Sequence, residues 1–184
     1  MASVDKTYAN ALFALLEEEK SDRLTFDTTL SQLNAVRTIM TDVPDFVKLL
    51  STPTVENEEK LALISETFEG KMSEKVYNFL RLLTVNKRIE RFNGICNVFR
   101  GLYNEKFNIA EITVTSAMPI TAEQREKIAA KMAQVTGGES VEITEKVDKS
   151  IIGGVMIDYG NTRFDGTVKT RLNELKKEIS GVIA

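Results

Sequence analysis

The sequence predicts an α+β protein, in which an N-terminal six-helix bundle is followed by a small C-terminal α/β domain with a mixed sheet and two helices. Three observations lead to this prediction. Apolar residues before Ile109 recur with the 3.6-residue period of helices. From Ile109 the period changes to the two-residue alternation of a strand. Near the end of the chain, glycine pairs bracket a short hairpin. We therefore predict two domains, 1–108 and 109–184.

Capping and breaking residues delimit the first three helices. The first helix is expected to begin after Ser3 and to run to about Glu19, and the second follows Asp22. Pro44 suits the first turn of a short third helix, because proline lacks the amide that a first turn leaves unbonded. That helix is expected to end near Leu50.

The next three helices follow the same logic. The fourth is predicted over Val55–Phe68 and is stopped by Gly70. Ser73 is placed to cap the fifth helix, which runs to about Asn86, and the sixth ends near Asn108. Six helices with short connections are typical of a bundle.

The C-terminal part alternates strands with helices. Polar and apolar residues alternate over Glu111–Thr115, which predicts a half-buried strand. Thr121 and Gln124 have the spacing of a capping box, so they predict the start of a helix that stops at Gly137. A second strand is predicted over Val141–Ile143, and the glycine-rich segment supplies a third and a fourth.

The last segment, from Ile151 onward, predicts a hairpin and a docking helix. Gly153 and Gly154 at the start of a strand indicate a bulge or the close approach of another backbone. A hairpin turn with positive φ is expected at Gly160–Asn161. The final helix carries its apolar residues at Val168, Leu172 and Leu175. None of these features supplies a group suited to a chemical step.

Composition excludes several classes of function. The net charge is −3 and neither half of the chain has a basic surplus, which argues against nucleic acid as a partner. The chain has no histidine and a single cysteine, Cys96, which we expect to be a small core residue. Histidine-ligated zinc, cysteine clusters and histidine triads are therefore excluded, and no phosphate-binding loop is present. We expect no cofactor, no metal and no catalytic residue. The N-terminus lacks an apolar signal core, so a cytoplasmic location is expected.

Two helices are apolar over unusually wide arcs. The apolar positions of the first helix cover roughly 200°, whereas a helix packing on one side needs about 100°. The fifth helix is wider still, since among Val76–Val85 its polar positions are Asn78, Arg81 and Thr84. One interpretation is that both helices are central and wrapped by the others. The other is that part of each arc stays open and receives a partner helix in a groove.

The sequence resembles the delta-subunit family of F-type ATP synthases, which includes the mitochondrial oligomycin-sensitivity-conferring proteins. The resemblance rests on Val147–Val155, on Asp165–Val168 with Arg171 and Leu172, on Tyr8–Leu12 and on Asn86–Ile89. Two positions depart from the family pattern. Asp158 stands where members usually carry a basic residue, and Thr170 stands where glycine is common.

The resemblance implies a non-catalytic stator subunit of a proton- or sodium-translocating ATP synthase. The N-terminal bundle would bind the N-terminal helix of the alpha subunit of the catalytic head, and the C-terminal domain would bind the b subunits of the peripheral stalk. In this family the first and fifth helices form the groove, so the expected partner-binding residues are Tyr8, Ala11, Leu12, Leu15, Val76, Phe79, Leu82 and Leu83. The structural signature comprises Gly153, Gly154, Asp165, Gly166, Arg171 and Leu172.

The resemblance also implies a location. The subunit would sit as a monomer within the complex, peripherally on the cytoplasmic face of a bacterial membrane or on the stromal face of a thylakoid, without inserting into the bilayer. A stand-alone helix-in-groove adaptor unrelated to ATP synthase is the alternative function. An enzyme that uses scattered carboxylates is a third.

Overall fold

The computed structural model describes residues 4–173 and Lys176. The chain divides into two compact units, Met1–Tyr103 and Asn104–Ala184. The first is helical, and the second combines strands with helix. The secondary structure changes where the sequence predicts, since the first strand begins at Ile109. The last turn of the preceding helix is grouped with the second unit.

Six α-helices precede the first strand in the described part of the chain. They are α1 (Val4–Glu18), α2 (Arg23–Asp42), α3 (Pro44–Ser51), α4 (Asn57–Phe68), α5 (Glu74–Val85) and α6 (Phe92–Lys106), with a 3₁₀ turn at Ile89–Arg91. Asp22 caps α2, because its Oδ1 accepts a hydrogen bond from the Thr25 amide at 3.0 Å. Hydrogen bonds from Thr25 also lower the pKa of Asp22 below its ordinary value of 3.8.

Aromatic and aliphatic side chains fill the interior of the helical unit. Phe13 packs against two other rings, with its ring centroid 5.1 Å from that of Phe26 and 5.6 Å from that of Phe99. Cys96 is buried, as expected for a small core residue, and burial raises its pKa to about 12. Lys60 is also buried, and its Nζ donates to the Thr52 carbonyl at the end of α3 at 2.7 Å. The Thr52 carbonyl, which has no partner within α3, also accepts from the Val55 amide at 3.4 Å.

The second unit is a four-stranded mixed sheet with helix α7 (Ala122–Thr136) after its first strand. The strands are β1 (Ile109–Ser116), β2 (Ser140–Val147), β3 (Val155–Tyr159) and β4 (Thr162–Asp165), in the order β2-β1-β3-β4. The β1–β2 pair is parallel, and the other two pairs are antiparallel. Thr121 and Gln124 form the predicted capping box, and Gly137 ends α7 with a φ of +68°.

One face of the sheet carries the core of this unit. Ile112 and Val114 of β1 are buried together with Met132 of α7. Residues 168–173 and Lys176 are helical, so the predicted order of strand, helix, three strands and helix is observed. Leu175, which the sequence predicts to be on that last helix, lies outside the described residues. In the described part of the chain, no helix combines the length and apolar character needed to cross a membrane.

Candidate functional site

A groove of about 430 Å³ runs between α1 and α5 on the surface of the helical unit. We call it the α1–α5 groove. Its lining contains six apolar or aromatic residues and four polar or charged ones. They are Tyr8, Ala11, Leu12, Leu15 and Glu19 on the side of α1, and Glu74, Lys75, Asn78, Phe79 and Leu82 on the side of α5.

The groove is open because the core uses only part of each apolar arc. Leu12 and Phe79 form a buried floor, with 3% and 6% of their surface exposed. Leu15 and Leu82, in contrast, remain 41% and 49% exposed, and Ala11 is exposed as well. A channel with a buried apolar floor and exposed apolar walls has the shape that receives the apolar face of a helix. The geometry therefore favours the second of the two interpretations of the wide arcs.

The predicted site residues divide into two groups. Tyr8, Ala11, Leu12, Leu15, Phe79 and Leu82 line the groove. The structure corrects the placement of Val76 and Leu83, which are fully buried and do not line it. They lie seven residues apart, about two turns, so they project from the same side of α5 toward the core. An apolar pattern that covers most of a helix cannot show which side faces inward.

Four lining residues were not predicted, and they make one end of the groove polar. Glu19 follows the end of α1 and forms an ion pair with Lys75 in the first turn of α5. Glu74 and Asn78 are exposed beside them. The sequence does carry a signal for Glu19, because it stands one helical turn after Leu15 on the same side of the helix.

The start of α5 is held by a side chain of α2. Ser73 occupies the N-cap position, but the predicted side-chain cap is absent. Instead, the Ser73 amide and hydroxyl both donate to Oε1 of Gln32, at 3.1 and 2.7 Å. One turn into α5, the hydroxyls of Tyr77 and Ser65 share a hydrogen bond of 2.6 Å. These contacts fix the α5 side of the groove to the rest of the unit.

The glycine signature of the second unit marks a close backbone approach. Gly154 has a φ of +84°, and a methyl group there would lie 2.9 Å from Cα of Thr167 and closer still to the carbonyl oxygen of Gly166. The Val168 amide donates to the Gly153 carbonyl at 3.0 Å across the same junction. Of the two interpretations of this glycine pair, the structure therefore shows the close approach. Gly160, in the hairpin turn, also has a positive φ of +54°.

Asp165 organises the start of the terminal helix. Its Oδ1 accepts from the Thr167 amide at 2.9 Å, and its Oδ2 accepts from the Thr170 hydroxyl at 2.8 Å. Hydrogen bonds from Thr167, and then from Thr170, lower the pKa of Asp165 below 3.8. Thr170, the residue that departs from the family pattern, therefore has a structural role. Arg171 and Leu172, the other signature residues, are exposed on this helix.

Asp158, the second departure, is paired across the β3–β4 hairpin with Arg163. Its two oxygens accept from Arg163 Nε and Nη2 at 2.6 and 3.3 Å. These hydrogen bonds lower the pKa of Asp158, and the same contact raises that of Arg163. The acidic residue is therefore accommodated within the hairpin itself.

Chemically, the groove is suited to binding and not to a reaction. Its lining offers apolar surface and one ion pair, without a nucleophile activated by a neighbouring base. Among the described residues, no three side chains of the metal-binding types converge. The arrangement matches the way an amphipathic helix is held, with apolar anchors in a channel and polar groups at its end.

Comparison with known proteins covers nearly the whole chain. Residues 4–179 match the family described as ATP synthase delta (OSCP) subunit. The ATP synthase subunit delta of Clostridioides difficile (strain 630) is 36% identical over 178 residues, covering 96% of each chain. That of Prochlorococcus marinus (strain MIT 9312) is 33% identical over 178 residues, covering 97% of each. A chain of the mitochondrial ATP synthase hexamer of Toxoplasma gondii shares the fold, with a TM-score of 0.70, 19% identity and coverage of 96% of this chain and 97% of that one.

Proposed function

The chain belongs to the ATP synthase delta (OSCP) subunit family, and on that premise we propose that its α1–α5 groove binds an amphipathic helix of the catalytic head. The protein is a non-catalytic subunit of an F-type ATP synthase and part of its stator, the peripheral stalk. It therefore serves ATP synthesis and ion transport as a structural component. Family membership sets aside both the unrelated adaptor and the enzyme that uses scattered carboxylates.

The observation that carries the proposal is the open apolar channel. The side chains of Leu15 and Leu82 are 41% and 49% exposed above a floor formed by Leu12 and Phe79. Covering this surface with the apolar stripe of a helix removes it from water, which is the main driving force of association. The occupant that we propose is the N-terminal helix of the alpha subunit. In this proposal the six helices before β1 act as the bundle that presents the groove, within a domain that comprises residues 1–108.

We assign the stalk contact to the second unit, residues 109–184. Its support is a set of exposed apolar side chains in the described region, namely Val147, Ile152, Phe164, Val168 and Leu172. Ile152 and Leu172 are the most exposed of these, at 76% and 58%. Exposed apolar side chains of this kind fit the apolar stripes of the b subunits.

Two binding units explain how the subunit acts. Rotation of the central shaft drags the catalytic head with it, and the stator opposes that torque. A joint under torque has to stay bound, so it needs a slow dissociation rate. Among related complexes, differences in affinity arise mostly from that rate. With one partner for each unit, the chain links the catalytic head to the b subunits of the stalk. In this proposal the subunit is peripheral to the membrane and lies on its cytoplasmic face.

Affinity purification of the full-length chain from detergent-solubilised native membranes, followed by lysine cross-linking and mass spectrometry, tests these assignments. We expect the alpha and b subunits to co-purify in fixed stoichiometry. Lysines of the first unit, such as Lys75 beside the groove, should be cross-linked to the alpha subunit. Lysines of the second unit, such as Lys169, should be cross-linked to b. The reverse assignment, or links from both units to one partner, would refute the proposal.

A further inference from the structure

The charges at the polar end of the α1–α5 groove do not balance. The carboxylates of Glu19 and Glu74 line this end, and Lys75 is the one cation among the ten lining residues. Lys75 pairs with Glu19, whose side chain remains 50% exposed. Among the described residues, Glu74 has no ion pair and its side chain has no hydrogen bond. One negative charge is therefore left over, beside an apolar channel.

The helix ends at this part of the groove offset one another. The last turn of α1 contains no basic residue and its carbonyl end carries a partial negative charge, whereas the start of α5, where Glu74 lies, carries a partial positive charge. The imbalance is therefore that of the side chains. Two other cations are near in sequence but do not line the groove. Lys20 follows Glu19 in the turn, and Lys71 donates its Nζ proton to the Thr67 carbonyl at 2.8 Å.

We propose that the helix bound in the groove carries an arginine or lysine about one turn beyond its apolar stripe, and that this cation meets Glu74 and Glu19 and fixes the direction in which the helix lies. The inference rests on the function proposed above, since it concerns the occupant of the same groove. An apolar channel alone accepts a helix in either direction. A charge at one end distinguishes the two directions, because the reversed helix leaves its cation away from both carboxylates.

The spacing along α1 sets the register. Glu19 stands four residues, or roughly 6 Å, beyond Leu15, and eight residues, or roughly 12 Å, beyond Ala11. A helix lying alongside α1 with its apolar stripe over Ala11 and Leu15 therefore reaches the carboxylates with a side chain about one turn past that stripe. The long stems of arginine and lysine suit this position, since they cover apolar surface while their charged ends reach the rim.

Three synthetic helical peptides, titrated into the full-length protein by calorimetry, test the inference. They share one apolar stripe and an N-terminal photoreactive group, and they vary at two positions, one turn before the stripe and one turn after it. One peptide has arginine after the stripe, one has arginine before it, and the third has neither, with glutamine wherever arginine is absent. We expect each arginine peptide to bind in the direction that brings its arginine to the carboxylates, so that the N-terminal photoreactive group reacts at opposite ends of the groove in the two peptides. Each should bind about threefold more tightly than the glutamine peptide at low salt. That gain should largely disappear when salt is raised from about 0.05 M to about 0.5 M.

The Glu74→Gln variant identifies the carboxylate responsible, and Glu18→Gln is its matched control. Glu18 is exposed near the same end of α1 but does not line the groove. The first variant should abolish the gain for both arginine peptides and leave the glutamine peptide unaffected, while the second should change neither. Glu19→Gln is less informative, because it also breaks the ion pair with Lys75.

The outcomes separate this inference from the function on which it rests. Equal binding of all three peptides, or photoreaction at the same end of the groove by both arginine peptides, would overturn the charge-set direction and leave the groove proposal standing. An equal weakening of all three peptides by Glu74→Gln would also overturn it. Failure of every peptide to bind, or binding that survives Ala11→Asp, would instead refute the groove proposal itself.

Discussion

Ala11→Asp places a carboxylate in the middle of the α1–α5 groove. Ala11 is exposed in the free protein, so water solvates the new charge there. The remaining cost is the lower helix propensity of aspartate, which is about 0.5 to 0.7 kcal/mol relative to alanine. For a unit of this size, such a loss lowers the melting temperature by less than about 5 °C.

The same substitution has a much larger effect on the complex. A bound helix would cover position 11 with apolar side chains, next to a floor formed by Leu12 and Phe79. An unpaired carboxylate buried in this way costs roughly 3 kcal/mol or more. The dissociation constant should therefore rise by about two orders of magnitude.

Thermal melting of the variant, together with calorimetric titration of the N-terminal peptide of the alpha subunit, measures both quantities. Ala35→Asp is the matched control, since Ala35 is exposed in the interior of α2 and does not line the groove. The control should show the same small loss of stability and unchanged peptide affinity. Unfolding of the Ala11→Asp protein, or peptide binding equal to that of the control, would refute the reasoning.

Three further outcomes are expected. Gly154→Ala should destabilise the second unit by more than about 2 kcal/mol in denaturant melts, because residue 154 has a φ of +84° and the added methyl group would clash with the backbone of Gly166 and Thr167. The control Gly160→Ala, where the methyl group meets open space, should cost only about 1 kcal/mol. The pKa of Asp165 is lower in the folded protein than its ordinary value of 3.8, so the ionised carboxylate stabilises the fold. This contribution is complete above pH 3.8 and is lost as the pH falls through the pKa of the folded protein. Asp165→Asn should therefore reduce the loss of unfolding free energy as the pH falls below about 5. An unchanged pH dependence of the unfolding free energy in this range would contradict the prediction. The isolated protein should neither hydrolyse nor bind ATP, which micromolar binding in calorimetry would disprove.

Local signals in the sequence were sufficient for most of the fold. The second helix follows Asp22 as predicted, and the Thr121–Gln124 pair caps the helix that it was predicted to cap. Gly137 ends α7 in the left-handed conformation. These signals work because each depends on hydrogen bonds within a few residues of the chain. Ser73 shows the limit of this reasoning. Its hydroxyl bonds instead to Gln32, 41 residues away, which no local pattern reveals.

The groove was predictable in outline, but its boundary was not. The width of the apolar arcs indicated that α1 and α5 carry more apolar surface than a one-sided packing needs. Which part of α5 faces the core depends on the positions of the other helices, so Val76 and Leu83 were assigned to the wrong side. The polar end was missed because charged residues near helix ends are ordinarily solvated. Only the folded chain brings Glu19 to Lys75.

Site-specific cross-linking from the groove tests the central claim most directly. Leu82→Cys places a thiol on the exposed wall of the groove, while the native Cys96 is buried and its pKa of about 12 keeps it protonated. With a photoreactive reagent on this thiol in the assembled ATP synthase, we predict adducts within the N-terminal segment of the alpha subunit, and none from the control Ala35→Cys. Adducts with another subunit, or with the alpha subunit equally from both positions, would contradict the claim that this groove holds the catalytic head.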